Sequence, residues 1–279
     1  MGKVRRNRIG FFIEIGLLCF VVLAAFLFAE MPAFYNEKAY AEQGSSYIVM
    51  RADTKEVFAE SNKDLRLPMA STTKTMTALV TVENCNLDEI LSVPDEAVGV
   101  EGSSIYLRKG DKYTVRELLY GLMLRSGNDA AVALAIHVAG SVENFAEMMN
   151  LRAESMGLTN THFVNPHGLQ DKNHYTSAYD LAFIGSEAMQ NETFRQIVST
   201  KFITVGNGEN KKYWTNKNKI LSLYEGGNGI KTGFTTDSGR CLIASATRNG
   251  VTVVSVVLNR YDMFNDCCRL MDKAFESIN

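Results

Sequence analysis

The stretch from Asn128 to Ala139, NDAAVALAIHVA, is apolar on nearly every side. A helix with one apolar stripe lies on a surface, whereas a helix that is apolar all round has to be enclosed by other elements. This one run therefore demands several layers of surrounding structure. Helices to enclose it are close at hand. Thr114 to Leu124 starts with Thr114 as N-cap and Glu117 in capping-box position. Val142 to Met156 and Ser177 to Met189 are amphipathic. Ala70 to Glu83 reads as a further helix, with Pro68 just ahead of its first turn. That segment carries Thr72, Thr73, Thr75, Thr77 and Thr81, which are weak helix formers in isolation. Burial has to hold it, which places it in the middle of the molecule.

Strand patterns occupy the two ends. Ser46 to Met50, a turn at Asp53-Thr54-Lys55 and Glu56 to Ala59 make a hairpin. Phe202 to Val205, Ile230 to Lys231, Arg240 to Thr247 and Val251 to Leu258 are strand-like, and Arg248-Asn249-Gly250 is a tight turn between the last two. Residues 102–113 carry strand and turn signals. The segment from Thr159 to Tyr175 is a polar loop punctuated by Asn165-Pro166 and His167-Gly168. Asp266 to Ser277 closes the chain as a helix. Strands at both ends around a helical middle predict an α/β (α+β) unit: one sheet assembled from distant segments, with an all-helical insertion.

The first 41 residues stand apart. Lys3, Arg5, Arg6 and Arg8 precede an apolar run from about Ile9 to Ala29, interrupted by Glu14. Charge followed by an apolar stretch reads as an export signal. Ala39-Tyr40-Ala41 offers a cleavage site before Glu42, and an uncleaved membrane anchor is the rival reading, since a span needs roughly 20 residues. Residues 42–279 then make one unit, since no linker divides them. Beyond that segment lie Cys85, Cys241, Cys267 and Cys268, whose spacing gives no disulfide framework, so free thiols are expected. Neither CxxC nor HExxH occurs, which argues against a zinc site. A net charge of −2 supplies no basic surface for nucleic acid.

Three short motifs carry chemistry. In Ser71-Thr72-Thr73-Lys74, residues three apart share a helix face, so Lys74 can reach the Ser71 hydroxyl. A serine needs a base to take its proton, and a lysine serves only when burial or neighbouring positive charge keeps it neutral. Ser126-Gly127-Asn128 opens the all-apolar helix. Ser126 can relay a proton to a leaving amine, and Asn128 can hold Lys74 or a substrate amide. Lys231-Thr232-Gly233, on a strand, offers positive charge, a hydroxyl for a carboxylate, and room for a peptide alongside. Backbone N–H groups of Ser71 and Phe234 can form an oxyanion hole. Each motif alone is commonplace: a serine and lysine on a helix, a helix cap, a surface turn.

In this order, with first letters 55 and then 105 residues apart, the three resemble the signature set of penicillin-binding proteins and serine β-lactamases. The flanking segments Arg66-Leu67-Pro68-Met69-Ala70, Asn165-Pro166-His167-Gly168-Leu169 and His174 to Ala182 (HYTSAYDLA) closely resemble the low-molecular-mass D-alanyl-D-alanine carboxypeptidases, serine peptidase family S11. The resemblance covers roughly residues 45 to 278. It implies a β-lactamase/transpeptidase-like fold, an antiparallel sheet flanked by helices plus an all-helical subdomain, with the site between them. It implies Ser71, Lys74 and Ser126 as catalytic residues and Asn128, Lys231, Thr232, Gly233 and Phe234 as substrate-binding ones. The implied substrate is a peptidoglycan stem peptide ending in D-Ala-D-Ala, with β-lactams as inhibitors and no metal or organic cofactor. An extracytoplasmic location follows.

Two departures from the family pattern stand out. Relatives often carry an arginine in the closing region for the substrate's terminal carboxylate; registering Phe264-Asn265-Asp266 and Phe275 against that pattern puts Met263 there, with Arg260 the nearest substitute. Many relatives also append a β-rich domain and a C-terminal anchor. A class A β-lactamase shares the three motifs but uses a glutamate for deacylation. The loop from Thr159 to Tyr175 contains none. Endopeptidase action on cross-links would use the same chemistry on a neighbouring substrate. A catalytically weak sensor or wall-binding protein is a reading of a different class.

Overall fold

The structure, a computed structural model, describes residues 44–206 and 211–278. The expected export segment and its cleavage site lie outside the described residues. Among the described residues no helix is long and apolar enough to cross a membrane.

The expected sheet from distant segments forms. Strands β1 (Ser46–Arg51), β2 (Val57–Ser61), β7 (Gly227–Thr235), β8 (Gly239–Arg248) and β9 (Val251–Leu258) pair antiparallel in the order β2-β1-β9-β8-β7. β1 docks on β9 with Val49 opposite Ser255, so the chain's two ends meet at the centre of the sheet. The turn joining β8 to β9 has two residues, Asn249 and Gly250, at φ 49° and 79°. Two successive positive φ values define the mirror-image turn whose twist matches a hairpin, and Asn-Gly adopts them most readily.

β8 and β9 are buried on both faces. Val49, Leu242, Ala244, Val253 and Val257 face a core completed by Cys267, Met271 and Phe275 of helix α8 (Met263–Ile278). Ile48, Met50, Ile243, Val254 and Val256 face the larger core under the helical layer. Two-sided burial explains why these strands read as nearly unbroken apolar runs rather than alternating ones.

The helical layer surrounds α1 (Lys74–Asn84). Helices α2 (Val115–Arg125), α3 (Asn128–Ala139), α4 (Val142–Ser155), α5 (Ala178–Ala188) and α6 (Glu192–Ser199) all pack on it. Its threonines show how a poor helix former is retained. Thr75, Thr77 and Thr81 are fully buried. Thr77 Oγ1 donates to the Pro166 carbonyl at 2.6 Å and Thr81 Oγ1 to the Thr77 carbonyl at 2.7 Å. These bonds satisfy two of the buried hydroxyls, whereas Thr75 Oγ1 has no hydrogen-bond partner among the described residues and is retained by packing alone. Helix α3 is buried from Asn128 to Ala135 while its last turn, Ile136 to Ala139, is only half-buried, and the Thr114–Glu117 capping box of α2 is present in both directions.

Four readings need correction. The helix expected from Ala70 begins as a 3₁₀ turn, Ala70–Thr73, because Ala70 stands at φ 47°, outside right-handed helical space; α1 starts only at Lys74. Residues 102–113 are mostly loop, with strand β4 confined to Lys112–Thr114, paired to the short β3 (Ile90–Ser92). Ile230-Lys231 is the middle of a nine-residue strand. Phe202 to Val205 (β5) pairs not with the main sheet but with β6 (Lys212–Thr215). A one-turn helix α7 (Ile220–Leu223) precedes β7. The four described cysteines are free, as their spacing suggests.

Candidate active site

Ser71 lies in the 3₁₀ turn ahead of α1, half-buried, with edge strand β7 running alongside. A side chain on Gly233 would bring its Cβ within 3.0 Å of the Met69 carbonyl and 3.1 Å of the Thr72 nitrogen. Glycine at this position is what lets β7 approach the serine turn.

Lys74 is the first residue of α1 and is completely buried. Its Nζ donates to Ser71 Oγ at 2.9 Å, to Asn128 Oδ1 at 2.7 Å and to the His167 carbonyl at 2.6 Å. All three donor positions of an ammonium are matched, yet among the described residues no carboxylate touches it. Burial, and then the Lys231 charge, take the Lys74 ammonium well below its ordinary pKa, against an opposing pull from Asp129 and with the smallest contribution from Lys217. A lysine in this state is available in neutral form to take a proton from the hydroxyl 2.9 Å away.

Asn128 is fixed from both ends. Its Nδ2 donates to the Glu101 carbonyl at 2.5 Å and its backbone N–H to the Ser103 carbonyl at 2.7 Å. Ser126 ends α2 in the left-handed conformation, φ 66°, and is buried. That kink turns the chain from α2 into α3 and leaves Ser126 and Asn128 on adjoining turns. Lys231 is buried on β7, its Nζ on the Thr232 carbonyl at 2.9 Å. Burial, then the Lys217 charge, pulls Lys231 down to about 7. An incoming carboxylate reverses that shift, because an opposite charge favours the ammonium. Thr232 is half-buried and the Phe234 side chain is exposed.

Several contributors carry no motif. The Thr159–Tyr175 loop wraps the serine turn at Gly168, φ 90°, where a Cβ would fall 1.9 Å from the Ala70 carbonyl oxygen. Thr73 Oγ1 also donates to that carbonyl at 2.8 Å, and His174 Nε2 lies 2.8 Å from the same hydroxyl. His174 Nδ1 accepts the Val164 N–H at 3.1 Å, so the ring proton sits on Nε2 and points at Thr73. The Ala70 carbonyl and the Ser71 N–H belong to one rigid peptide plane. Anchoring the oxygen on this side aims the Ser71 N–H the other way. His174 and His167 are neutral: burial, with smaller charge effects, takes them to about 4 and about 3. Lys217 joins as a third lysine whose charge acts on both Lys74 and Lys231.

Met263 opens α8 and packs against the core beneath β8 and β9. Arg260 Nε pairs with Asp266 Oδ2 at 2.9 Å.

The sequence profile described as D-alanyl-D-alanine carboxypeptidase, Peptidase S11, matches residues 34–262. The chain belongs to this family. The D-alanyl-D-alanine carboxypeptidase DacF of Bacillus subtilis is 36% identical over 223 residues, covering 78% of this chain and 57% of that protein. The D-alanyl-D-alanine carboxypeptidase of Streptomyces sp. K15 is 41% identical over 213 residues, covering 70% and 73%. The crystal structure of the Streptomyces K15 DD-transpeptidase superimposes with a TM-score of 0.77 at 37% identity, over 82% of this chain and 96% of that one. This S11 chain thus spans 57% of the B. subtilis relative, 73% of the Streptomyces protein and 96% of the chain in the Streptomyces crystal structure. The family and the fold expected from the motifs are both borne out.

Proposed function

We propose that this S11 chain is a serine-type D-alanyl-D-alanine carboxypeptidase acting on peptidoglycan stem peptides. One observation carries the reading: a fully buried Lys74, with no carboxylate partner, 2.9 Å from the Ser71 hydroxyl. Burying a lysine without a counter-ion is costly, and a structural role would be served more cheaply by an apolar residue.

Ser71 Oγ attacks the carbonyl between the two terminal D-alanines as Lys74 Nζ takes its proton. The N–H groups of Ser71 and Phe234 hold the oxyanion. The C–N bond breaks, and the proton passes through Ser126 to the departing amine of D-alanine. Water then attacks the Ser71 ester carbonyl, giving its proton to the same relay; the C–O bond to Ser71 breaks, the relay returns the proton to Ser71 Oγ, and the shortened peptide leaves as its carboxylate. Lys231 and Thr232 bind the terminal carboxylate, Gly233 lets the peptide lie along β7, and Asn128 holds Lys74 and the substrate amide. A β-lactam occupies the same place and leaves a persistent ester on Ser71. Residues 1–41 direct the catalytic domain, 42–279, out of the cytoplasm.

Incubating the protein with an acylated peptide ending in D-Ala-D-Ala tests this. Stoichiometric release of free D-alanine is expected; rapid hydrolysis of penicillin without D-alanine release would point to a β-lactamase instead. A second reading has support in the K15 relative, which bears both the carboxypeptidase and the DD-transpeptidase names. There the acyl group passes to an amine rather than to water, and adding a free amino acid acceptor would divert product to a new peptide.

A further inference from the structure

A second recess is lined by residues adjoining those of the serine site: Ser104, next to the Ser103 whose carbonyl accepts the Asn128 N–H, and Arg125, next to Ser126. Between the loop Ser104–Thr114 and the β5–β6 hairpin is a cavity of about 930 Å³. Its base is the buried pair Ile105 and Trp214, and its rim carries Tyr106 and Tyr213, 81% and 76% exposed. Two large aromatic rings so fully in water are unusual for a surface with no partner.

Tyr106 is held out at some expense. Its backbone is left-handed, φ 59°, which a tyrosine adopts only under constraint. The constraint is Asp129, whose buried carboxylate accepts the N–H groups of Ile105 and Leu107 on either side of Tyr106, at 3.0 and 3.1 Å, and the Ser104 hydroxyl. The Tyr106 N–H donates to Ser104 Oγ at 2.8 Å. A strained, over-determined backbone with its side chain in solvent indicates a binding role. The same segment is tied to the active site, because the residue next to Asp129 is Asn128, which holds Lys74 and anchors the Glu101 and Ser103 carbonyls.

Charge tells what would bind. Arg108, Lys112, Arg125, Lys211 and Lys212 line the recess against two acids, Asp111 and Glu117. Glu117 is already occupied: Oε2 accepts from Thr114 and Oε1 accepts the Gly206 N–H. Asp111 accepts the Arg108 backbone N–H at 3.3 Å. The side chains of Arg108, Lys112 and Lys211 are exposed and make no hydrogen bond or ion pair among the described residues. Flat aromatic rims with unspent cations suit a ligand presenting sugar rings and carboxylates together.

We infer that this recess is an extended substrate subsite for the sugar-bearing, carboxylate-bearing part of the peptidoglycan stem, upstream of the bond cleaved at Ser71. The inference rests on the carboxypeptidase reading above and adds a determinant of specificity to it. Tyr106 and Tyr213 take an amino-sugar ring on their faces, and Arg108 and Lys211 meet the free carboxylates of the linked peptide.

The test compares two substrates: a short N-acylated peptide ending in D-Ala-D-Ala, and a disaccharide pentapeptide with the same terminus. Replacing both aromatics, Tyr106→Ala with Tyr213→Ala, lowers kcat/KM for the disaccharide pentapeptide by roughly tenfold, the usual effect of truncating interface aromatics, and leaves the short peptide within about twofold. Tyr106→Phe retains full activity on both. Equal loss on both substrates, or no loss on either, overturns the subsite. Calorimetric binding of the disaccharide pentapeptide to Ser71→Ala protein separates this from the parent reading. If the wild type releases no D-alanine yet Tyr106→Ala with Tyr213→Ala still weakens that binding about tenfold, the activity is wrong and the subsite stands. Unchanged binding refutes the subsite on its own.

Discussion

Replacing Gly168 with alanine should cripple acylation without unfolding the protein. The new Cβ would fall 1.9 Å from the Ala70 carbonyl oxygen, where Cβ atoms do not approach inside 3.0 Å, and 2.8 Å from Thr73 Oγ1. The carbonyl belongs to backbone, so relief requires the serine turn and the His167–Gly168 loop to separate by about 1 Å. Both consequences fall on Ser71. The peptide plane that carries Ala70 O carries the Ser71 N–H, and His167, whose carbonyl holds Lys74 at 2.6 Å, is the residue next door. Misplacement of reacting groups by about 1 Å costs on the order of 100-fold in rate. Alanine at φ 90° also adds backbone strain of roughly 1–2 kcal/mol. Gly157 separates the two effects: it stands at φ 73° with nothing within 4 Å of its Cβ position. Gly157→Ala should show only the loss of stability due to the positive φ and an unchanged reaction. The assay is the rate of covalent labelling by a fluorescent penicillin, alongside the thermal midpoint of each variant. Wild-type labelling by Gly168→Ala, or an equal loss in Gly157→Ala, would refute the account of how the serine turn is held.

Other outcomes follow from the same geometry. The pH profile of kcat/KM should rise as Lys74 loses its proton, below the ordinary lysine range, and fall as Lys231, at about 7, loses the charge that binds the carboxylate. Lys231→Arg, which stays charged, should remove the falling limb; a limb that persists contradicts that role. His174 is neutral in the fold, with a pKa of about 4 against 6.5 when unfolded, so its contribution to stability is complete above pH 6.5 and drains away as pH drops toward 4. Urea midpoints should therefore decline more steeply over that window in the wild type than in His174→Gln, and parallel curves would disprove it. Ser186 Oγ is buried with no hydrogen-bond partner among the described residues, so Ser186→Ala should stabilise by about 1 kcal/mol in urea unfolding, with no change in penicillin labelling.

What the sequence makes legible has a local physical origin. Asn249-Gly250 announces its turn because few other residues accept two positive φ values. Thr114 and Glu117 announce a helix start because each satisfies a backbone group of the other. The enclosed α3 follows from its own composition. Ser71, Lys74, Ser126, Asn128 and Lys231 are visible as motifs because the proposed reaction sets their residue types and spacing. The rest depends on partners far along the chain. Strands β3 and β4 have three residues each and exist only through their mutual pairing. Helix α6 has a readable N-cap in Asn191 and an apolar stripe of Phe194, Ile197 and Val198, but it is short and follows directly on α5. The carbonyls of His167 and Glu101, which complete the bonding of Lys74 and Asn128, belong to every residue type and leave no trace in side-chain pattern. The packing of Gly168 on Ala70 is likewise invisible, since a turn signal says where a glycine is needed and not what it touches. Lys217 has no motif and enters only through three-dimensional proximity to the other two lysines.

The central claim is that Ser71, activated by Lys74, becomes the acyl carrier. Mass spectrometry of the penicillin-treated protein after proteolysis tests it most directly. A penicilloyl adduct on the peptide containing Ser71, absent in Ser71→Ala and strongly slowed in Lys74→Met, is the predicted result. An adduct on any other residue, or undiminished labelling of Ser71→Ala, would contradict it.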